Sequence, residues 1–595
     1  MAVATSQTVP KYYMQLFAML ALRRFRILRG ARIPKSLFNC RGSESCVAGF
    51  LFSTHFPFPL LFSYKCGKIV LYTTHMEMTD MKIEIKHRYL VFPVSTFSPQ
   101  IRFRFYDAGE EVYYLNIKLN PTEPTFYAYV DMERFMGKTI EIGTTPDVEI
   151  VYSEADTMDI PGLYKETFRP QVHFTTRNGW QNDPNGLVYY NGEYHMFYQH
   201  NPCESKWNNM HWNHAKSPDL IHWTEVGIAL GPDKHGEAFS GSAIVDKDNL
   251  LGWKDGENDT VALYYTATSP FAQYLAYSTD GLKTIKKYGD AIVPNIVGTN
   301  RDPKVIFCEE WNTYIMVLFL ENDMFGILKS DDLLNWELVQ KLQFSGDYEC
   351  PDLFPINADD GVRKWVMMGA RSRYLVGDMT SGQFVPSQEA FSLSHSSCAY
   401  AGQTFSGLPN GRIVRMEWDK WNIMFFPING QMSFPSELSL EKHGDFYYLC
   451  TAPISEIESL YDGTTVFENI EVKPKRQFIT PLQPKPHLLK LNCDAKDAEF
   501  EMTLFGVTIQ FNMRENLLSV GGRTMPISHV CGKVDLTLIV DKFSMELYLD
   551  GGKIYSGIVD RAVSPNYSFT KLDIYTDTDI TIDKLELHPL KSIWE

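Results

Sequence analysis

At 595 residues the chain is too long for a single hydrophobic core and reads as roughly three to four domains. Its formal net charge of -16 excludes a nucleic-acid binder, because the main body offers no basic stripe to neutralise phosphates. The ten cysteines are scattered with no CxxC pair, which signals neither a zinc site nor a disulfide framework and fits a reducing, cytoplasmic compartment.

Residues 1–75 stand apart, with ten Lys or Arg against one acid, Glu44. Their apolar runs, such as Phe56-Pro57-Phe58-Pro59-Leu60-Leu61-Phe62, are broken by proline and fall short of the ~20 residues of a membrane span. No secretory signal pattern of basic start, apolar middle and small-residue cleavage site is present there. Composition becomes ordinary around Met76, Met78 and Met81, where translation is expected to begin; a targeting segment is the alternative. Residues 76–160 alternate apolar and polar positions, as in Lys82-Ile83-Glu84-Ile85 and Ile101-Arg102-Phe103-Arg104-Phe105, and read as a small antiparallel β-sandwich with a scaffold role.

From 168 to 450 the chain is a series of short strands between turn signals. Ser217-Pro218-Asp219-Leu220-Ile221-His222-Trp223 and Ser330-Asp331-Asp332-Leu333-Leu334-Asn335-Trp336 are related, and Ser278-Thr279-Asp280-Gly281-Leu282 is a weaker copy. Repetition at roughly 50–60 residues is the mark of radially repeated sheets, so this segment reads as a five-bladed β-propeller. Trp223 and Trp336 then belong to the core between blades. Residues 468–595 alternate again and read as a C-terminal β-sandwich after a linker near 473–486. The whole is all-β.

Three acids have placed surroundings. Asp183 lies in Asn178-Gly179-Trp180-Gln181-Asn182-Asp183-Pro184-Asn185-Gly186, where Pro184 extends the preceding residue and Asn185-Gly186 is a tight-turn pair. The segment reads as a turn before a hairpin that runs through Asn191-Gly192. Asp302 repeats the Asp-Pro step in Arg301-Asp302-Pro303, with a guanidinium beside it that favours the ionised form. Glu349 sits between Tyr348 and Cys350, an apolar wall that would raise its pKa as a general acid requires. A propeller axis brings such distant carboxylates together. His211 and His214 face opposite sides of a strand and lack a third ligand, so no metal is expected. Trp207 and Trp418 are the candidates for a stacking role at a ligand rather than in the core.

These phrases, with Trp207-Asn208-Asn209-Met210-His211-Trp212, Phe239-Ser240-Gly241-Ser242, Tyr400-Ala401-Gly402-Gln403-Thr404-Phe405 and Gln431-Met432-Ser433-Phe434-Pro435, resemble glycoside hydrolase family 32. That family comprises β-fructosidases: invertases, levanases and inulinases. The resemblance covers residues 168–595; Gln181, Asn208 and Asn213 depart from its usual residue types. It implies a five-bladed propeller followed by a β-sandwich. It also implies Asp183 as nucleophile, Glu349 as general acid/base and Asp302 as transition-state stabiliser. Asn182, Gln199, Trp207, Phe239, Ser240 and Arg301 would line the pocket for a terminal fructose. The implied activity is retaining hydrolysis of terminal β-D-fructofuranosyl residues from sucrose, inulin or levan, without cofactor. A fructosyltransferase and a catalytically inactive fructan-binding propeller are the alternatives.

Overall fold

The computed structural model describes residues 81–421, 427–527, 532–560 and 563–595, and before them only the strands Ser45–Gly49, Leu60–Lys65 and Lys68–Thr73. Those three strands form one antiparallel sheet. The expectations about a late start at Met76 or Met78 and about targeting lie outside the described residues.

From Asp80 onward the chain is one compact unit built almost wholly of strands, and the helical pieces among the described residues are short 3-10 turns. In the first part, a four-stranded sheet (Met81–Glu84, Ile101–Asp107, Glu110–Ile117, Thr139–Thr145) and a three-stranded one (Tyr89–Val94, Phe126–Asp131, Ser153–Ala155) share an apolar core. The alternation is literal in Ile101–Phe105: Ile101, Phe103 and Phe105 are buried and Arg102 and Arg104 are not. Burying Phe103 and Phe105 contributes about 2–3 kcal/mol each.

Five sheets of four or five strands, antiparallel except for one late addition to the first, follow from Gly179 to Pro453. Their leading strands are Gly179–Tyr190, Ala238–Asp246, Arg301–Cys308, Asp352–Asn357 and Ala399–Thr404, each next to the following one, and the last returns to the first. The first sheet is completed by a late segment: Ile428 and Asn429 pair in parallel with Gly179 and Trp180. Ser406 also exchanges backbone hydrogen bonds with Leu187 and Tyr189.

The repeated phrase is one repeated turn between the third and fourth strands of three successive sheets. Asp219, Asp280 and Asp332 each accept two backbone N–H bonds from residues two to four ahead. Leu220, Leu282 and Leu333 adopt φ of +66°, +61° and +67°, a conformation these buried side chains hold through packing. Trp223 and Trp336 donate their indole N–H to the carbonyls of Leu220 and Leu333, and pack in the core as expected.

The last part consists of two six-stranded sheets with a common apolar core. The segment read as a linker near 473–486 is corrected: strand Thr465–Val472 runs up to its start and strand Phe478–Pro481 occupies its middle. Both are edge strands with largely exposed side chains, which is why polar residues and proline were compatible with strand there. The connection from the preceding sheet is instead the 3-10 turn Ser455–Leu460.

Between this part and the fifth sheet lies a buried ionic cluster. His173 is held by Asp541 at 2.9 Å and Glu546 at 3.1 Å, all three fully buried.

Candidate active site

The leading strands are interrupted where the candidate residues sit. Pairing registers shift between Gln181 and Pro184, between Phe239 and Gly241, between Arg301 and Lys304, and between Tyr400 and Gln403. Such bulges leave a residue unpaired and re-aim its side chain. They turn Asp183, Ser240 and Asp302 into one cavity of about 310 Å³. Here the structure corrects the sequence reading: Asn185-Gly186 is no turn but part of the strand, with Asn185 opposite Phe197. Gly186 is required because its φ is +52° and a Cβ would lie 2.9 Å from Phe197 and 3.1 Å from Trp212.

All nine sequence-predicted residues line this cavity: Asp183, Asp302 and Glu349 with Asn182, Gln199, Trp207, Phe239, Ser240 and Arg301. The Ser240 hydroxyl donates to Asp183 Oδ2 at 2.7 Å. The Cys350 thiol reaches both Asp183 Oδ2 and Asp302 Oδ2 at 3.5 Å, and the Cys350 backbone N–H donates to Asp302 Oδ2 at 3.0 Å. Arg301 spans the other side, with Nη2 at 2.5 Å from Glu349 Oε2 and Nε at 3.5 Å from Asp302 Oδ2. The Tyr400 hydroxyl donates to Glu349 Oε1. Asp302, Glu349 and Cys350 have φ of +64°, +41° and +42°, strained conformations worth about 1–3 kcal/mol each that the surrounding bonds hold in place.

Two electrostatic expectations are corrected. Glu349 does not face an apolar wall, because Arg301 and Tyr400 bond to its two oxygens. Asp302 is not kept an ordinary carboxylate by Arg301: burial raises its pKa to about 7 despite the guanidinium. Burial also raises Asp183 to about 6, with the Ser240 bond opposing and nearby Glu349 adding.

Sequence reading did not assign Met210, Tyr400 or Lys420 to the site, yet they line it too. Lys420 Nζ sits 3.4 Å over the Tyr400 ring and 5.0 Å from the centre of Trp418, the stacking candidate, which also lines the cavity. Tyr400 lay within a recognised phrase; nothing local marked Lys420. His211 and His214 point to separate partners, Tyr113 at 2.7 Å and His195 at 3.0 Å. Among the described residues no group of three His, Cys, Asp or Glu is placed to hold a metal. Of the departures, Gln181 accepts from the Thr176 N–H and Asn213 donates to Tyr198 and Glu225.

Residues 173–453 match the family model for the glycosyl hydrolases family 32 N-terminal domain. The chain is 30% identical over 499 residues to a levanase of Bacillus subtilis, covering 74% of this chain and 73% of that one. It is 35% identical over 346 residues to a levanbiose-producing levanase of the same organism, covering 52% and 65%. In fold it is similar to the crystal structure of an exo-inulinase from Aspergillus awamori, with a TM-score of 0.64, 23% identity, and coverage of 72% of this chain and all of that one. With its family model matched and a levanase aligned along most of both chains, this protein belongs to glycosyl hydrolase family 32.

Proposed function

We propose that this protein is a retaining β-fructosidase that releases terminal β-D-fructofuranosyl residues from sucrose or fructans. One observation carries the reading: Asp183 and Asp302 from two different sheets and Glu349 from the loop that leads into a third are tied through Cys350 and Arg301 at one cavity. Its volume of about 310 Å³ lies at the small end of ligand sites, suited to one sugar unit. Among the described residues, Asn182 Oδ1, Gln199 Oε1 and Trp418 Nε1 are buried in its wall with no protein partner, as groups meant for sugar hydroxyls are.

In the first step the Asp183 carboxylate attacks the anomeric carbon while protonated Glu349 gives its proton to the departing glycosidic oxygen. A fructosyl ester on Asp183 results. In the second, the Glu349 carboxylate takes a proton from water as its oxygen attacks the same carbon, freeing Asp183 and returning Glu349 to its acid form. This scheme calls for the two carboxyl groups ~5–5.5 Å apart. Asp302 is the transition-state stabiliser, bonding ring hydroxyls more strongly as positive charge develops. Asn182, Gln199, Trp207, Phe239, Ser240 and Arg301 are the substrate-binding set.

The five successive sheets are taken as the blades of a propeller, with segments 76–160 and 468–595 as the flanking sandwiches. The cyclic adjacency of the leading strands supports that reading.

Fructose release from sucrose, inulin and levan, with Asp183→Ala as control, tests the function. Release that disappears in the variant is expected; equal release by the variant overturns the assignment. Transfer to an added sugar acceptor in preference to water marks a transferase, and binding without turnover marks the inactive alternative.

A further inference from the structure

We propose that the N-terminal sheets contribute an outer sugar subsite, centred on Phe97, for the fructosyl units that follow the one held in the cavity. The inference rests on the fructoside reading above.

Phe97 is 86% exposed, more than any other large hydrophobic side chain among the described residues. It lies between strands Tyr89–Val94 and Ile101–Asp107, outside the segment that the family model matches. Its loop is fixed rather than loose. Ser95 and Ser98 donate backbone bonds to Lys118 and Ser95, respectively, and Lys118 Nζ reaches the Thr96 carbonyl at 3.4 Å.

The same Lys118 binds the buried Glu204 at 2.8 Å, which ties the loop to the segment that carries Trp207. A second tie lies on the far side, where Asn208 Nδ2 donates to Gln100 Oε1 at 3.0 Å and Asn116 Nδ2 donates to Asn208 Oδ1 at 3.1 Å. Fully buried Asn209 closes the junction, accepting from the Asn116 N–H at 2.7 Å and donating to its carbonyl at 2.9 Å.

Phe97 therefore lies between the two ties on one loop, and Trp207 between them on the other. Trp207 is 57% exposed and meets Phe239 edge-on inside the cavity. Two exposed aromatic rings on loops joined by amide hydrogen bonds suit a neutral carbohydrate chain: C–H faces lie on the rings and hydroxyls bond Gln100 and Asn208. The N-terminal sheets then act on specificity for chain length, through Phe97 and through fixing the Trp207 segment.

The test compares kcat/KM for sucrose with that for fructo-oligosaccharides of increasing length, in a β-2,1 and a β-2,6 series. The wild-type protein, Phe97→Ala and Phe97→Trp are measured side by side; position 97 is so exposed that neither change threatens folding. The expected result is a fall of roughly three- to tenfold in the oligosaccharide-to-sucrose ratio for Phe97→Ala, carried by KM, and its restoration in Phe97→Trp. A ratio unchanged by Phe97→Ala in both series overturns the subsite. So does a parallel loss on all substrates that Phe97→Trp does not restore, which marks a purely structural loop. Wild-type protein that releases no fructose from any of these substrates overturns the fructoside reading itself, and the subsite with it.

Discussion

Asp302→Asn should make the protein more stable at neutral pH while nearly abolishing its activity. In the folded protein burial raises this carboxyl from 3.8 to about 7, against the pull of Arg301. Between those two pH values the folded chain keeps a proton that the unfolded chain has released. Folding stability therefore declines as pH rises through that window and levels off above about 7. Each pH unit in the window is worth ~1.4 kcal/mol, which sets a ceiling of about 4 kcal/mol. The real gain is smaller, because asparagine is itself a buried polar group and Arg301 loses one of its two carboxylate partners. A net gain of ~1–2 kcal/mol at pH 7.5 is expected, falling to nothing near pH 4, where the carboxyl is protonated in the folded chain and increasingly so in the unfolded one. Paired thermal melts of the two proteins at both pH values measure the difference without requiring a two-state transition. On sucrose, kcat should fall by ~10²–10³ with KM little changed. A variant that is less stable at pH 7.5, or equally stabilised at both pH values, refutes the reasoning.

Ser240→Ala removes the hydroxyl that favours ionised Asp183, so the acid limb of kcat/KM, set near pH 6, should move up by ~1–2 pH units. The apparent value belongs to the three coupled acids together, and an unmoved limb counts against the bond. Glu349→Gln should cost ~10²–10⁴ on sucrose but far less on an aryl fructoside whose leaving group needs no proton; equal losses would sink the acid role. His173→Ala strands two buried carboxylates and should cost ~3–5 kcal/mol at pH 7. Burial alone would lower the pKa of His173, but Asp541 and Glu546 raise it to about 10. The stabilisation is thus complete below the ordinary histidine value and fades as pH rises through about 10, so denaturant melts should show the deficit of the variant shrinking there. A deficit constant from pH 7 to 10 would contradict the ion cluster.

Alternation and the repeated serine-to-tryptophan turn made the strand-rich architecture readable from residues alone, because both are local. Asp183, Asp302 and Glu349 were readable for the same reason, each beside a proline or an aromatic. What escaped was set across strands. Asn185-Gly186 has turn chemistry, yet pairing with Phe197 and Tyr198 holds that segment in the sheet and converts the kink into a bulge. Arg301 was visible beside Asp302, whereas the burial that outweighs it comes from other sheets. Lys420 reaches the site through the rings of Tyr400 and Trp418, a relation no spacing announces. The strand Phe478–Pro481 was hidden because an edge position tolerates proline.

The strand that carries Asp183 is also the one onto which Ile428 and Asn429 fold back, about 245 residues later in the chain. Asp183 thus lies on a seam. During synthesis it stays unanchored until nearly the whole five-sheet segment has been made, so catalytic competence arrives late and all at once. The same joint rests on short parallel pairings, two positions at Ile428 and Asn429 and the bonds of Ser406 to Leu187 and Tyr189, and its loosening needs less than global unfolding. Heat or denaturant should therefore silence the enzyme before the bulk of its sheet content is lost. A sugar bridging Asp183 and Glu349 across the sheets would act as a rivet, delaying that loss in proportion to the logarithm of its concentration.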